Sequence, residues 1–537
     1  MSWKIIAKLK SRIAAESGDL LTRRGAALRI CLIYPNYYRI GMSNLGFQAV
    51  HAMLNAVPDI LCERAFLPDP DERREYEQSR TPLLSLESRQ PVAGFDIIAF
   101  SISFESDYLH LAAIFRLAGL SPLSSGRSGT EPLLMAGGAA LFLNPEPVAD
   151  FIDVICLGEA EVLLPAVTAA LTSGANSRRR LLAALSTLPG VYIPALGRKP
   201  VVRQYLRNLD SCATATTISS PETEFADLHL LELSRGCPRG CRFCAAGYIY
   251  LPYRQRSLEN IKQEADRAIA AGRKIGLVAA AVGDYRGIGE LCRHIVASGG
   301  RFSVSSLRID GLDETMIDLL VASGHKTATL APEGGSQRLR DLIKKGISEE
   351  QILAACERLI AKDILNLKLY FIIGLPTETD DDIVQLLALV EKIRALVVAR
   401  SKANRRLGEI TISINPFIPK PFTPFQWCGM LPQKLLEKRL ELLKKGVRRL
   451  SNVSLQAESL KEALLQALLS RGDRSLSAFI LKADETGSWR KAAKELGLDA
   501  EREATRVIPL EEELPWGFIE GTSLELLKRE HRLAFGV

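Results

Sequence analysis

Twice along this chain, short apolar runs of strand length alternate with helix-length segments, and this pattern restricts the fold more than any other feature. In the first series ALRICLIYPN, DIIAFSISF, PLLMAGG and DVICLGEAE read as strands, and GFQAVHAMLN, DYLHLAAIFRLAGL and VLLPAVTAALTSG as helices. In the second the strands are LLELS, KIGLVAAAV, RFSVSSLR, TATLAP, NLKLYFII and EITISINPF, with helices such as SLENIKQEADRAIAAG and SEEQILAACERLIAKD between them. Such alternation predicts an α/β fold of parallel sheets covered by helices, with functional groups at the strands' carboxyl ends. The first series, residues 26–196, predicts a doubly wound parallel sheet. The second, residues 227–429, counts six βα units, two short of a closed eight-stranded barrel. Residues 197–226 are rich in Ser, Thr and Ala and read as a linker. Residues 1–25 read as a basic amphipathic helix and turn docked as a cap on the next domain, and residues 430–537 as a mainly helical accessory domain.

Hydrophobic residues make up 47% of the 537 and charged residues 24%, enough to fill several cores and too little charge for wholesale disorder. A net charge of +7 is a mild excess that permits an acidic or nucleic-acid partner without demanding one. The opening MSWKIIAKLKSRIAAES breaks its apolar residues with Lys and Arg and lacks the continuous core of a secretory signal. No apolar run is long enough to span a bilayer. Ten cysteines without a paired framework suit a reducing compartment, so the expectation is a cytoplasmic protein with no membrane partner.

Three of those cysteines, Cys237, Cys241 and Cys244, fall in a C-x3-C-x2-C pattern just after the first strand of the second series. An iron-sulfur cluster usually takes four protein thiolates, and structural zinc four Cys or His ligands. The other seven cysteines are scattered singly, so the loop offers three ligands and no evident fourth. A position left open is what a catalytic centre needs. A zinc site with a distant ligand, or three buried thiols, are the plainer alternatives.

This loop, with aromatic Phe243 before its last cysteine, resembles the cluster loop of radical S-adenosylmethionine (radical SAM) enzymes. The resemblance implies that Cys237, Cys241 and Cys244 hold three irons of a 4Fe-4S cluster and that Phe243 supports the loop. It implies that the fourth iron chelates S-adenosyl-L-methionine (SAM), which is cleaved to a 5'-deoxyadenosyl radical, and that the second series is a partial (β/α)6 barrel. Residues 281–285, AVGDY, stand where the family has G-G-E, so Gly283 lets backbone approach the ligand and Asp284 accepts from its ammonium. After the third strand, Ser305 offers a hydroxyl for the ribose and Arg308 a guanidinium for the carboxylate. Residues 331–339, APEGGSQRL, resemble the Q-S-G-S turn of methylthiotransferase-like members, with Glu333 at the glutamine position and Ser336 carried over. YFIIGLPTE, residues 370–378, resembles G-x-I-x-G-x-x-x-E, placing Ile372 on the adenine and keeping Gly374. The plain reading of Ile372 is a core residue, and of Ser305 and Arg308 a surface turn. No catalytic acid, base or nucleophile is singled out.

Standing before such a barrel, residues 26–196 resemble the cobalamin-binding domain of many radical SAM proteins. The signature D-x-H-x-x-G, S-x-L and G-G corresponds here to NYYRIG at 36–41, Ser101-Ile102-Ser103 and Gly137-Gly138. Tyr38 replaces the cobalt-ligating histidine and Asn36 the aspartate, which excludes a protein imidazole at that position. The resemblance makes Tyr38, Ser101, Gly137 and Gly138 cobalamin contacts, unless the domain has kept its shape and lost the cofactor. As a whole it implies a radical SAM enzyme, and a methyltransferase acting on an unactivated carbon if cobalamin is bound. The alternatives are a methylthiotransferase-like RNA-modifying enzyme and a non-catalytic iron-sulfur sensing protein. A basic stretch at 430–450 favours RNA, and the lack of a second cysteine cluster disfavours methylthiolation. Expected partners are an unidentified substrate and a reducing electron donor such as flavodoxin or ferredoxin.

Overall fold

The computed structural model describes residues 1–19, 25–174, 177–226, 228–304, 307–404 and 406–536. Strand β1 (Leu28–Tyr34) is almost wholly apolar because it runs through the middle of a parallel sheet. With β2 (Ile60–Phe66), β3 (Ile97–Ser101), β4 (Leu133–Gly137), β5 (Val154–Cys156) and the antiparallel β6 (Val191–Tyr192) the order is β2-β1-β3-β4-β5-β6. This is a doubly wound order whose direction reverses between β1 and β3. The hydrophobic pattern does not predict β2, because ILCERAF carries two charges. Both are buried and satisfied: Glu63 accepts from the hydroxyls of Ser85 (2.7 Å) and Ser88 (2.6 Å), and Arg64 pairs with Glu16 (2.7 Å) and Glu87 (2.6 Å).

The second series forms a curved parallel wall. Strands β7 (Leu228–Glu232), β8 (Lys274–Val278) and β9 (Phe302–Val304) pair in sequence, and so do β10 (Thr327–Glu333), β11 (Asn366–Ile373), β12 (Ile410–Pro416) and β13 (Val453–Ala457). A single parallel bridge, Leu307 to Leu330, joins the two groups. All six predicted runs are strands, and β13 continues the wall beyond them; its short, polar VSLQA suits an exposed edge. Strand parity sorts the side chains. Leu330, Leu367, Leu369, Phe371, Ile410 and Ile412 pack under the outer helices. The alternate set, including Thr329, Glu333, Lys368, Tyr370, Ser413 and Asn415, faces the interior and stays partly exposed.

The two sheets are not independent bodies. One apolar core runs from the first sheet through Tyr248 and Ile249 of the cysteine loop to Phe422, Trp427 and the helices Leu460–Arg471 and Leu476–Thr486. The helix Trp3–Ala15 docks on the first sheet's side through Ile5 and Leu9, and its Arg12 pairs with Asp69 (3.1 Å), Glu72 (2.8 Å) and Glu222 (3.3 Å). Among the described residues no helix is long and apolar enough to cross a membrane.

Candidate active site

Just after β7, Ser234–Arg235 pairs antiparallel with Arg254–Gln255, so residues 236–253 form a closed loop holding all three cysteines. The loop is tight. A Cβ on Gly236, at φ +80, would lie 2.6 Å from the Tyr250 carbonyl oxygen, and one on Gly247 would lie 2.8 Å from that of Arg239. Its base is clamped to the first domain by buried ion pairs. Arg235 donates to Glu159 (2.9 Å), Glu161 (2.5 Å) and Glu232 (2.9 Å), and Arg254 holds both oxygens of Glu159 (2.7 and 2.9 Å). From the other side Arg242 and Lys344 donate to Glu530 of the helix Leu524–Phe535, at 3.2 and 2.7 Å.

None of the three cysteines is in a disulfide, and they lie near enough for the charge of each to act on the others. Burial pushes the Cys244 thiol up to about 11 and raises that of Cys241, against which Lys345 and Arg308 pull it down. Arg239 lies beside Cys237. Three cations thus lie near the thiols, each paired with a carboxylate, and the net effect of the surroundings still leaves Cys241 and Cys244 above the ordinary thiol value. Among the described residues no three His, Cys, Asp or Glu side chains gather around one metal-ion position. Three thiolates on one loop are the kind of ligand an iron-sulfur cluster takes. The donor set fits the cluster.

Several residues singled out in the sequence converge here. Phe243 packs into a small apolar group with Ile372, Leu375, Phe417 and Phe425, so the loop aromatic and the predicted adenine contact share one surface. Glu333 is close enough to raise the thiols of Cys241 and Cys244; it sits at φ +65 and pairs with Lys345 at 3.3 Å. Such a conformation costs a non-glycine residue energy that the surroundings must offset. Gly283 faces open space, as close ligand approach requires. Asp284 is held by two bonds to Arg239 (2.6 and 3.0 Å), and Arg308 by two to Asp310 (2.9 and 3.0 Å), so a ligand would have to share or displace these partners. Gly374, at φ +77, donates its N–H to Glu378 (2.9 Å), whose carboxyl burial pushes up to about 7. Ser336 is placed differently. It caps the helix Gln337–Leu342 and donates to Asp382 at 2.5 Å, so its hydroxyl is engaged within the chain. Ser305 lies outside the described residues. Arg239, Lys345 and the Glu159 clamp were not visible in the sequence, where no spacing links an acid at 159 to an arginine at 254.

The carboxyl edge of the first sheet looks different. Tyr38 is 1% exposed, packs edge-to-face on Phe66 and donates its hydroxyl to Glu16 (2.7 Å), so it sits as a core residue. A Cβ on Gly138 would lie 2.3 Å from the Ile102 carbonyl oxygen, so that glycine serves its own backbone's close packing, whereas Gly137, in register with Ser101, would meet nothing nearer than Cys156 at 3.7 Å. Beyond them the edge meets the rest of the chain. Glu105 accepts from Lys420 (2.6 Å), Gln466 (3.1 Å) and Ser470 (2.9 Å), and Asn144 donates to the carbonyls of Ser470 (3.2 Å) and Gly472 (2.7 Å). Phe142 contacts Tyr250 of the cysteine loop. At this edge the buried Tyr34 hydroxyl and Asp107 Oδ2 have no hydrogen-bond partner among the described residues, and burial pushes the Asp107 carboxyl up to about 7. In this arrangement side chains from the barrel and the C-terminal helices cover part of the edge where ligands of such sheets bind.

A parallel wall with three thiols on the loop after its first strand, ringed by cations, is the scaffold of an enzyme built around an iron-sulfur centre. Residues 46–194 match the family described as radical SAM proteins, N-terminal, and residues 231–390 the radical SAM superfamily. An uncharacterized protein of Methanocaldococcus jannaschii is 31% identical over 459 residues, covering 84% of this chain and 90% of that one. The chain belongs to the radical SAM superfamily. It is also similar to the tRNA-2-methylthio-N(6)-dimethylallyladenosine synthase of Cereibacter sphaeroides, 29% identical over 227 residues, or 38% of this chain and 48% of that relative. Among solved structures, the cobalamin-dependent S-adenosylmethionine radical enzyme OxsB aligns with a TM-score of 0.47 at 16% identity, over 70% of this chain and 56% of that one.

Proposed function

We propose that this protein is a radical SAM enzyme that abstracts hydrogen from a substrate held in the barrel interior. Cys237, Cys241 and Cys244 would hold the 4Fe-4S cluster, which with bound SAM supplies a 5'-deoxyadenosyl radical. The observation that carries this reading is the thiol loop itself, clamped over the strands' carboxyl ends with Phe243 and Ile372 in one apolar group beside it. Gly283 gives the ligand backbone access, and Ile372 an apolar face for adenine. Asp284 and Arg308 offer opposite charges to the two ends of an amino acid, each released from its present partner. The first domain serves as the scaffold that fixes the loop through Glu159. Cobalamin-dependent methyl transfer requires its edge to open. RNA modification is the second reading, favoured by similarity to a tRNA-2-methylthio-N(6)-dimethylallyladenosine synthase, of which this chain covers less than half. A cytoplasmic flavodoxin or ferredoxin would supply the electron.

The test is anaerobic reconstitution with iron and sulfide, then dithionite and SAM, with 5'-deoxyadenosine as the readout. Formation in the wild type and loss in Cys241→Ala support the enzyme. A fully loaded cluster that yields none would sink that reading in favour of a sensor.

A further inference from the structure

We propose that the barrel interior binds an anionic group of the substrate, a carboxylate or a phosphate, on the ammonium of Lys368. The inference rests on the reading above for where the substrate lies, but on residues that take no part in holding the cluster or SAM. Lys368 sits in the middle of β11, in register with Thr329 on β10 and Thr411 on β12, on the interior face. Its Nζ lies 5.1 Å from the ring centroid of Tyr370, two residues nearer the strand's carboxyl end, so the side chain reaches toward the cysteine loop.

Around it the wall is polar and uncommitted. Tyr370 is in register with Ser413 and that with Gln456, while Asn415 stands beside Ile372. The side chains of Tyr370, Ser413, Asn415 and Gln456 make no hydrogen bond to a described residue. The arginines and lysine nearest the thiols each have a carboxylate: Arg239 has Asp284, Arg308 has Asp310 and Lys345 has Glu333. Lys368 has none among the described residues. Glu232 and Glu333, the acids on this face, are taken by Arg235, Arg256 and Lys345. A neutral substrate filling this space would strip water from an unpaired ammonium, which is costly. An anion pairs with it, and the surrounding hydroxyls and amides donate to the anion's remaining lone pairs.

The experiment uses the full chain with its cluster loaded and follows acetylation of individual lysines by peptide mapping. The probes are inorganic phosphate and glutarate, with sodium chloride at equal ionic strength as control. A saturating probe should slow labelling of Lys368 by about tenfold and leave exposed Lys438 unchanged. Protection by phosphate alone assigns a phosphate-bearing substrate, by glutarate alone a carboxylate, and by both an anion site that takes either. The anion that protects should also raise the thermal midpoint of the wild type and of Lys438→Gln but not of Lys368→Gln, whose midpoint without anion should match the wild type. Equal labelling with and without both probes, or protection matched by chloride, overturns the proposal. Neither readout needs SAM cleavage, so its failure is distinguishable from failure of the radical chemistry.

Discussion

The molecule has two parallel sheets, and their carboxyl edges have been put to opposite uses. At the first, Glu105, Asn144, Tyr38 and Glu159 are each tied to another part of the chain. At the second, Gly283 faces open space and Tyr370, Ser413, Asn415 and Gln456 keep their hydrogen-bonding groups free. Both edges are where open α/β sheets bind ligands. The difference teaches that topology marks where a ligand can lie, while the bookkeeping of polar partners decides whether one does. Apart from the Tyr34 hydroxyl and Asp107 Oδ2 the first edge is tied up as a joint, while the second keeps free groups that a ligand can meet.

The largest effect should come from the second edge. Cys241→Ala removes one of three ligands and should bring 5'-deoxyadenosine to background, with iron content reduced. On the first edge, incubation with hydroxocobalamin followed by desalting should leave no corrin absorbance. Stoichiometric retention would break the comparison outright, since it requires the Glu105 and Asn144 joints to part.

Next in size is the clamp between the edges. Glu159→Gln leaves Arg254 and part of Arg235 as buried charges without their partner. Breaking such a pair costs about 3–5 kcal/mol, read by denaturant unfolding. If the first domain only positions the loop, the variant should still take up iron but show an altered response of its cluster electron paramagnetic resonance spectrum to SAM. An unchanged spectrum with lost stability would reduce the clamp to a structural role.

A smaller effect is expected at Glu105. It is buried, and although burial alone raises its carboxyl, the Lys420 ammonium and the bonds from Gln466 and Ser470 hold it below the usual glutamate value. A carboxylate depressed in the folded state contributes stability that is present above its unfolded value, about 4.3, and lost as pH falls through the folded value. Glu105→Gln should therefore cost about 1–3 kcal/mol near neutrality, with the gap to wild type narrowing as the pH falls from about 4.3 through the lower folded value. A gap independent of pH would mean that the joint is held by packing and not by charge.

Much of this was legible in the sequence, and what was not has a physical reason. The apolar runs showed ten of the strands, because buried parallel strands are continuously hydrophobic. Strand β2 stayed hidden because Glu63 and Arg64 are buried with partners distant in sequence, and β13 because an edge strand has too little apolar length. The cysteine loop was legible because its ligands are local. Arg239, Lys345 and Glu159 were not, since a charge near a thiol is set by the fold. The cobalamin-like glycines are ambiguous for a related reason: glycine serves a backbone's close approach to its own neighbour, as Gly138 does to Ile102, as well as to a ligand.

The smallest predicted effect sharpens the contrast most. If the interior side chains of β12 and β13 are kept for a substrate, removing them should not disturb the fold. Ser413→Ala deletes a partly exposed group and Gln456→Ala an exposed one, and neither makes a hydrogen bond to a described residue, so stability should stay within about 0.5 kcal/mol of wild type. The same kind of truncation at the first edge, Asn144→Ala, leaves the carbonyls of Ser470 and Gly472 without their donor in a buried place and should cost about 1–3 kcal/mol. Paired unfolding curves for the three variants measure both edges on one scale. A loss at Ser413 or Gln456 comparable to that at Asn144 would show that the interior polar groups are holding the barrel together, and would remove the reason to regard them as free for a ligand.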